Sequence, residues 1–306
     1  MELRKLAGSL FRKNFKMLPF NINSMTNDAF VDLSYQFILR RAPDKGGRQH
    51  FLERLNSKKI SKTHLLDALI DSSEFAKEML HSNLGTSLHE SRVRFVRQLP
   101  AANIIVDLGG SCQDNDQGAM VSMGYPYKFE KLTIIDLPIE QRHELYQNNR
   151  EIKSVQTDSG IVEYLYRSMS DLAPIADNSV DLVYSGQSIE HVNIEDANRV
   201  YKETLRVLKP GGIFSLDTPN GRITRIQQDD FIDPDHKIEY RFEELNANLI
   251  AAGFEILETK GLNFAGAITD RSEFDPRKIA RNCGIYSNPE NCYLLAFVCR
   301  KPNQAQ

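Results

Sequence analysis

NIIVDLGGS, residues 103–111, decides how this chain folds. Ile104, Ile105 and Val106 make an apolar run of strand length, Asp107 ends the run in a carboxylate, and Gly109 and Gly110 follow at once. An apolar run without polar alternation marks a strand covered on both faces, the habit of parallel sheets flanked by helices. Glycines behind such a strand let the backbone turn and come close to a ligand. In open sheets of this kind ligands bind beyond the carboxyl ends of the strands. Asp107 is therefore a candidate binding residue, because a carboxylate among apolar neighbours needs a partner.

Similar runs recur downstream: LTIIDLP (132–138), VDLVYSG (180–186), GGIFSLDTPN (211–220), FEILETKG (254–261) and YLLAFVCRK (293–301), separated by helix-like stretches. The alternation predicts an α/β sheet with crossover helices from about Asn103 onward. The last two runs are expected to pair as antiparallel neighbours. The second run ends in Asp136, positioned as in dinucleotide sites to accept both hydroxyls of a ribose. Asp107 and Asp136 should thus flank one cleft from neighbouring strand tips. Gly109-Gly110 alone also fits a tight strand–helix turn with no ligand, since the full G-x-G-x-x-G is absent.

The residues before Asn103 read differently. FVDLSYQFILRR carries Phe30, Leu33, Phe37 and Ile38 at helical spacing, and Pro43 with Gly46-Gly47 should break that helix. A second helix follows through Phe51, Leu52 and Leu55, a third behind a Ser61 N-cap with Leu65, Leu66, Leu69 and Ile70, and a last short one around Phe75. Residues 1–26 are locally basic, with Arg4, Lys5, Arg12, Lys13 and Lys16 around Leu3, Leu6, Leu10 and Phe11. They read either as a helix on an anionic membrane surface or as a terminal helix docked on its own protein. Arg92, Arg94 and Arg97 fit the exposed face of a helix and receive no function. The expected division is a basic segment 1–26, a small all-α domain 27–82 and an α/β domain 83–306.

With 306 residues, 41% of them hydrophobic and 26% charged, the chain can bury full cores for two domains. A formal net charge of -3 argues against a nucleic-acid partner. Cys112, Cys283, Cys292 and Cys299 form no Cys-x-x-Cys pair, which suits reduced thiols and a cytoplasmic setting. No apolar stretch suggests a transmembrane segment, and the N-terminus lacks the pattern of a secretory signal.

Three later blocks, MSDLAPIADNSVDLVYSGQSIEHV (169–192), VYKETLRVLKPGGIFSLDTPN (200–220) and HKIEYRFEELNANLIAAGFEIL (236–257), resemble class I S-adenosylmethionine-dependent methyltransferases in kind and order. The resemblance runs from Asn103 to about Pro302. It implies a Rossmann-like, seven-stranded, mostly parallel sheet with helices on both faces, and S-adenosylmethionine as cofactor. By it, Asp107, Gly109 and Gly110 lie near the methionine part of the cofactor, Asp136 holds the ribose and Leu137 lies beside the adenine. Met169 and Ser170 close over the adenine ring, and Ser185, Gly186 and Gln187 line the sulfonium end. The chain departs from the pattern at Ser111 and Gln113, where glycines are usual, at Ser168, where an acid is usual, and in the insertion CQDNDQGAMVSMGYPYKFE (112–130). Residues 30–75 resemble a small bacterial domain of unknown function found in surface proteins and beside glycan-processing enzymes, which implies a packing or partner-binding module.

If the acceptor is a hydroxyl, a general base would help, and His191 and His236 follow the fourth and fifth strands. Each also has a structural reading, His191 bracing its loop and His236 orienting the next helix. Asp217, Asp233 and Asp235 with His236 offer oxygen ligands suited to magnesium, but FIDPDHK is equally an ordinary acidic loop, and no metal is assigned. The expected function is methylation of an oxygen on a sugar or small molecule in a bacterial surface-glycan pathway. The Asp-Thr-Pro-Asn turn at 217–220 resembles that of surface-polysaccharide methyltransferases, not the Pro-Pro-Tyr turn of enzymes acting on base amino groups. A methyltransferase fold kept as a scaffold or cofactor sensor is the alternative. A nucleotide-sugar epimerase or dehydrogenase would need a Tyr-x-x-x-Lys pair or an intact glycine fingerprint, and neither stands in the right place.

Overall fold

A computed structural model describes residues 25–39, 41–112, 115–141 and 151–303, without the side chains of 76–83. The basic segment 1–24 and Gln113 lie outside the described residues. The chain divides into two compact units, Met1–Asn83 and Leu84–Gln306.

In the first unit the regular elements among the described residues are helices: α1 (Asn27–Ile38), α2 (Lys45–Asn56), α3 (Lys62–Ile70) and the start of α4 (Ser73–Val96). Thr26, Asp44 and Ser61 cap α1, α2 and α3 by accepting from the backbone N–H groups of Ala29, Gly47 and His64. Gly46 and Gly47 therefore sit in the first turn of α2 and do not end α1; Asp44 supplies the start signal there. Phe30, Val31, Tyr35, Ile38, Leu39, Leu55, Leu65, Leu69 and Phe75 form the buried core. The predicted short helix at Phe75 is the opening turn of the 24-residue α4.

The second unit is built on a nine-stranded sheet of β1 (Ile104–Leu108), β2 (Lys131–Asp136), β3 (Ser154–Gln156), β4 (Ile161–Tyr166), β5 (Val180–Gly186), β6 (Leu208–Pro219), β7 (Glu255–Phe264), β8 (Ile285–Tyr286) and β9 (Cys292–Arg300). Their order is β3-β4-β2-β1-β5-β6-β9-β7-β8. The pairs β1–β2, β1–β5, β2–β4 and β5–β6 are parallel, and β3–β4, β6–β9, β7–β8 and β7–β9 are antiparallel. The expectation of a seven-stranded, mostly parallel sheet is corrected to a nine-stranded mixed one. β3 and β8 are the additions, short strands at the two edges. β3 folds back on β4 through a turn in which Thr157 and Gly160 bond each other. The expected antiparallel pairing of the last two runs is present as β7 with β9.

Alternate residues of the strands feed two cores. Ile105, Leu132, Ile134 and Leu182 pack with the α4 residues Phe95 and Val96, Met120 of α5 (Gly118–Ser122), Ile223 of α7 (Gly221–Gln227) and Ile279 of α9 (Pro276–Arg281). Val106, Leu108, Val183 and Leu216 pack with Ala197, Val200 and Tyr201 of α6 (Ile194–Val207) and Leu245 and Leu249 of α8 (Phe242–Ala252). Helices thus cover both faces. The chain leaves β1 toward β2 on one side and reaches β5 on the other, so the switch point lies at the carboxyl ends of β1 and β5.

Asn220, fully buried behind β6, secures this edge. Its Oδ1 accepts from the Arg222 N–H at 3.1 Å, and its Nδ2 donates to the carbonyls of Glu290 at 3.0 Å and Cys292 at 2.8 Å. Asn220→Ala removes the cap of α7 and strands buried carbonyls. The expected loss is about 2–3 kcal/mol, read from the urea unfolding midpoint.

Candidate functional site

The parallel register sets Asp107 opposite Ile134 and, on the other side, opposite Tyr184. Asp136 lies two residues beyond Ile134, hence on the same face as Asp107. Gly186 sits opposite Asp217 on the next strand pair. One face of the sheet's carboxyl edge therefore gathers Asp136, Asp107, Tyr184, Gly186 and Asp217.

Asp107 is 1% exposed, and its Oδ2 has no hydrogen-bond partner among the described residues. Burial pushes its carboxyl up to about 7, against the pull of Arg92 and a hydrogen bond from the Met120 backbone, while Asp136 and Asp217 add to the rise. A Cβ on Gly110 would stand 2.1 Å from Asp107 Oδ2, so only glycine fits there. Gly109 takes the left-handed backbone that closes the strand, φ 74°. Ser111 Oγ is also buried without a hydrogen-bond partner among the described residues. The first loop thus holds a buried acceptor and a buried donor, each unmatched.

Asp136 is half-buried at the tip of β2 and accepts from the Leu137 N–H at 2.7 Å. Leu137 is exposed, and Met169 is half-buried against the core on the α6 side. Ser170 and Ser168 share a hydroxyl hydrogen bond of 2.8 Å. Ser185 is fully buried and bonds the Ser188 hydroxyl at 2.6 Å, a bracing role behind the strand end. Gln187 has a left-handed backbone, φ 55°, fixed by its N–H to the Asp217 carbonyl (2.8 Å) and its Nε2 to Asp217 Oδ1 (2.9 Å).

Asp217 is not a free metal ligand. It is fully buried and carries a hydrogen bond from Tyr184 Oη and an ion pair with Arg92 Nε at 2.7 Å. Burial works against the Arg92 charge, but Asp217 and Tyr184 outweigh it and hold the guanidinium above its ordinary range. Arg92 is thus a site residue and not part of an exposed helix face. Gly186 makes room for it, since a Cβ there would lie 2.7 Å from Arg92 Nη2. The sequence signal was an i, i+2 row of arginines on a helix that leads into the domain, and it does not reveal which arginine turns inward.

A second group assembles behind β5. The 3-10 turn Ile189–His191 presents Glu190 and His191 beside His236. The two imidazoles meet edge to face with centroids 4.8 Å apart. Glu190 is fully buried; its Oε2 accepts from Thr218 Oγ1 at 3.0 Å, and its Oε1 has no partner. Burial pushes its carboxyl up to about 7, tempered by its own backbone N–H and by His236. His236 Nδ1 lies 2.8 Å from Glu239 Oε1. Burial alone would depress the His236 pKa, but Glu239 and Glu190 hold it above the usual value. His191, the most accessible of the three, is depressed by partial desolvation of its ring among its neighbours and by the charge of His236. Glu239 also accepts from Thr224 Oγ1 and the Ile232 N–H. The sequence reading singled out both histidines but not Glu190 or Glu239. The i, i+3 spacing of His236 and Glu239 was the available clue.

A hollow of about 530 Å³, lined by residues 115–117 and 155–158, includes none of these side chains.

Residues 120–216 match the family described as a methyltransferase domain, and residues 20–79 match a domain of unknown function (DUF4214). A protein of Mycolicibacterium smegmatis named as an S-adenosylmethionine-dependent methyltransferase is 38% identical over 106 residues, 35% of this chain and 40% of that protein. A Mycobacterium tuberculosis protein of the same description is 37% identical over 101 residues, 33% of this chain and 36% of its own length. The matched stretches therefore span well under half of those relatives. Among solved structures, a chain of the complex between the Haloferax volcanii Trm112 methyltransferase activator and a methyltransferase gives a TM-score of 0.50 at 19% identity, covering 75% of this chain and 97% of that one. That likeness speaks for the fold. The stretch similar to a methyltransferase domain, residues 120–216, thus falls within the second unit and its mixed α/β sheet. Among the described residues no helix is long and apolar enough to cross a membrane.

The raised Asp107 pKa has a consequence for stability. Near pH 4 and below, the carboxyl is protonated folded and unfolded alike; from there to about 7 the folded chain keeps a proton that the unfolded chain releases. Stability from this group therefore falls as pH rises through that window. Asp107→Asn is expected to lose less stability than the unmodified chain between pH 5 and pH 8, measured by urea unfolding at each pH. Equal slopes would contradict the burial argument.

Proposed function

We propose that this chain is an S-adenosylmethionine-dependent methyltransferase whose acceptor is a hydroxyl on a sugar or other small molecule, in a bacterial surface-glycan pathway and a cytoplasmic setting. The observation that carries the reading is the unmatched pair under the first loop, Asp107 Oδ2 and Ser111 Oγ, with Gly110 pressed against the carboxylate. A buried acceptor and donor left open in this way fit a ligand that brings both an ammonium and a carboxylate. Asp107, Gly109, Gly110 and Ser111 would hold that amino-acid end. Asp136 would take the ribose hydroxyls, and Leu137, Met169 and Ser170 would border the adenine. Gly186 and Gln187 would flank the reacting end, with Ser185 bracing them from behind.

When bound, S-adenosylmethionine supplies a methyl group on a sulfonium, open to in-line displacement by an acceptor oxygen. The protein's part is alignment and exclusion of water. Arg92, Tyr184 and Gln187 fix the Asp217 carboxylate beside the reacting end, which keeps that part of the edge rigid. His191 and His236 are the groups that would handle the acceptor's proton, His191 as the more accessible. The net charge of -3 and the Asp-Thr-Pro-Asn turn favour a sugar hydroxyl over a nucleic-acid base. The helical unit would serve as a partner-binding or packing module.

Isothermal titration of the full chain with S-adenosylmethionine and S-adenosylhomocysteine tests this reading. Both should bind, and Asp136→Ala should weaken both by about 10- to 100-fold, the worth of a charge-assisted hydrogen bond. Binding of neither would leave the scaffold reading. Turnover on sugar acceptors should fall by about 100-fold or more in His191→Ala or His236→Ala; unchanged turnover in both would remove the imidazoles from the mechanism.

A further inference from the structure

We propose that Glu190, His191 and His236 form a site for one divalent first-row transition-metal ion, bound by a Glu190 carboxylate oxygen and one nitrogen from each imidazole. The prospective ligand atoms of the three residues lie within 4.8 Å of one another. That spacing needs only a small closing movement to surround an ion with bonds near 2.0–2.2 Å.

Each ligand is already oriented by a second contact. Glu239 engages His236 Nδ1 at 2.8 Å, leaving Nε2 as the nitrogen that can donate its lone pair. A carboxylate behind a ligating imidazole fixes its tautomer and raises its basicity. Glu239 is itself anchored by Thr224 and by the Ile232 N–H. His191 hydrogen-bonds the Asp235 backbone, which leaves its other ring nitrogen available. Thr218 holds Glu190 Oε2, while Oε1 is buried with no hydrogen-bond partner among the described residues. An unpaired carboxylate oxygen in the interior is unfavourable unless something completes it. A cation among the three residues would do so.

The donor set distinguishes this site from the all-oxygen one read from the acidic loop. Asp217 is taken up by Arg92 and Tyr184, and Asp233 is exposed. Two imidazoles and one carboxylate suit manganese, cobalt, iron or zinc better than magnesium or calcium. Three protein ligands leave coordination positions open, and the exposed edge at His191 is where water or an acceptor hydroxyl could enter. A divalent cation there would favour loss of the acceptor's proton. This role deepens the methyltransferase reading and rests on it: the two histidines would act on the acceptor's proton through the ion, and that proton would pass to solvent at the exposed His191 edge; the binding site itself does not depend on that reading.

The full chain, stripped with EDTA and dialysed, is titrated separately with Co2+, Mn2+, Zn2+ and Mg2+ by calorimetry, and with Co2+ by visible absorption. S-adenosylhomocysteine binding is measured on the same samples. One equivalent of a transition-metal ion should bind, with cobalt ligand-field bands and at least 10-fold weaker binding of Mg2+. Glu190→Gln, and the exposed His191→Ala should Glu190→Gln fail to fold, should weaken the metal by about 100-fold while leaving S-adenosylhomocysteine bound. Glu239→Gln should weaken it by about 10- to 100-fold. No transition-metal binding to the folded chain, or affinity unchanged in these variants, overturns the site. Metal binding without S-adenosylhomocysteine binding overturns the cofactor reading and leaves the metal site standing.

Discussion

The Arg92–Asp217 ion pair is the interaction on which the rest of the carboxyl edge depends. Asp107, Asp217 and Glu190 are all buried, and Asp107 on β1 and Asp217 on β6 share one face of the sheet on either side of β5. Several carboxylates cannot stay ionised together in a low-dielectric interior without a compensating cation. Arg92 supplies that charge from α4, and its fork meets Asp217 where Tyr184 and Gln187 also converge. Removing the guanidinium alone would leave a buried anion behind, which costs far more than the pair itself contributes. The need for Gly186 follows from the same contact, since any Cβ there would displace the guanidinium.

With that pair in place, the edge divides by chemistry. Around β1 and β2 it is acidic and short of donors: Asp107 is half-satisfied, and Asp136 stands at the next strand tip. Behind β5 and β6 it is rich in imidazole and already wired to second contacts through Glu239, Thr224 and Thr218. In the proposed reading the first half would receive a cationic amino-acid group, and the second would manage a proton or an ion. Ser185 and Ser188, bonded to each other between the halves, give the separating turn its stiffness.

Much of this was legible in the chain. The apolar runs at 103–108, 132–136, 180–186 and 293–300 are strands because they are covered on both faces, and such strands announce themselves without tertiary information. β4 escaped because Glu163 and Tyr164 interrupt its apolar character, so the segment lacks a continuous run. β3 and β8 are too short to carry any periodicity and exist only because neighbouring strands offer open edges. Asp107 and Asp136 could be named from position. Arg92 could not, because its partner lies 125 residues away and long-range pairing leaves no local pattern. Glu190 was hidden for a related reason: an acid beside a histidine looks solvated until the turn that buries it is known.

The altered first loop makes physical sense once α5 is considered. A glycine-rich turn would let the backbone itself approach a ligand; here the chain has Ser111 and a longer excursion that returns as a helical turn, closed by the Ala119 N–H on the Gly110 carbonyl at 2.8 Å. That return brings the Met120 backbone to Asp107 and gives the carboxylate one hydrogen bond. One bond does not balance full burial, so the carboxyl stays pushed up to about 7. In the proposed reading, a cationic group at Oδ2 would reverse the balance and favour the ionised carboxylate. The cost of burying Asp107 would then work as selectivity, since a neutral ligand could hydrogen-bond the acid but would not offset that cost by charge.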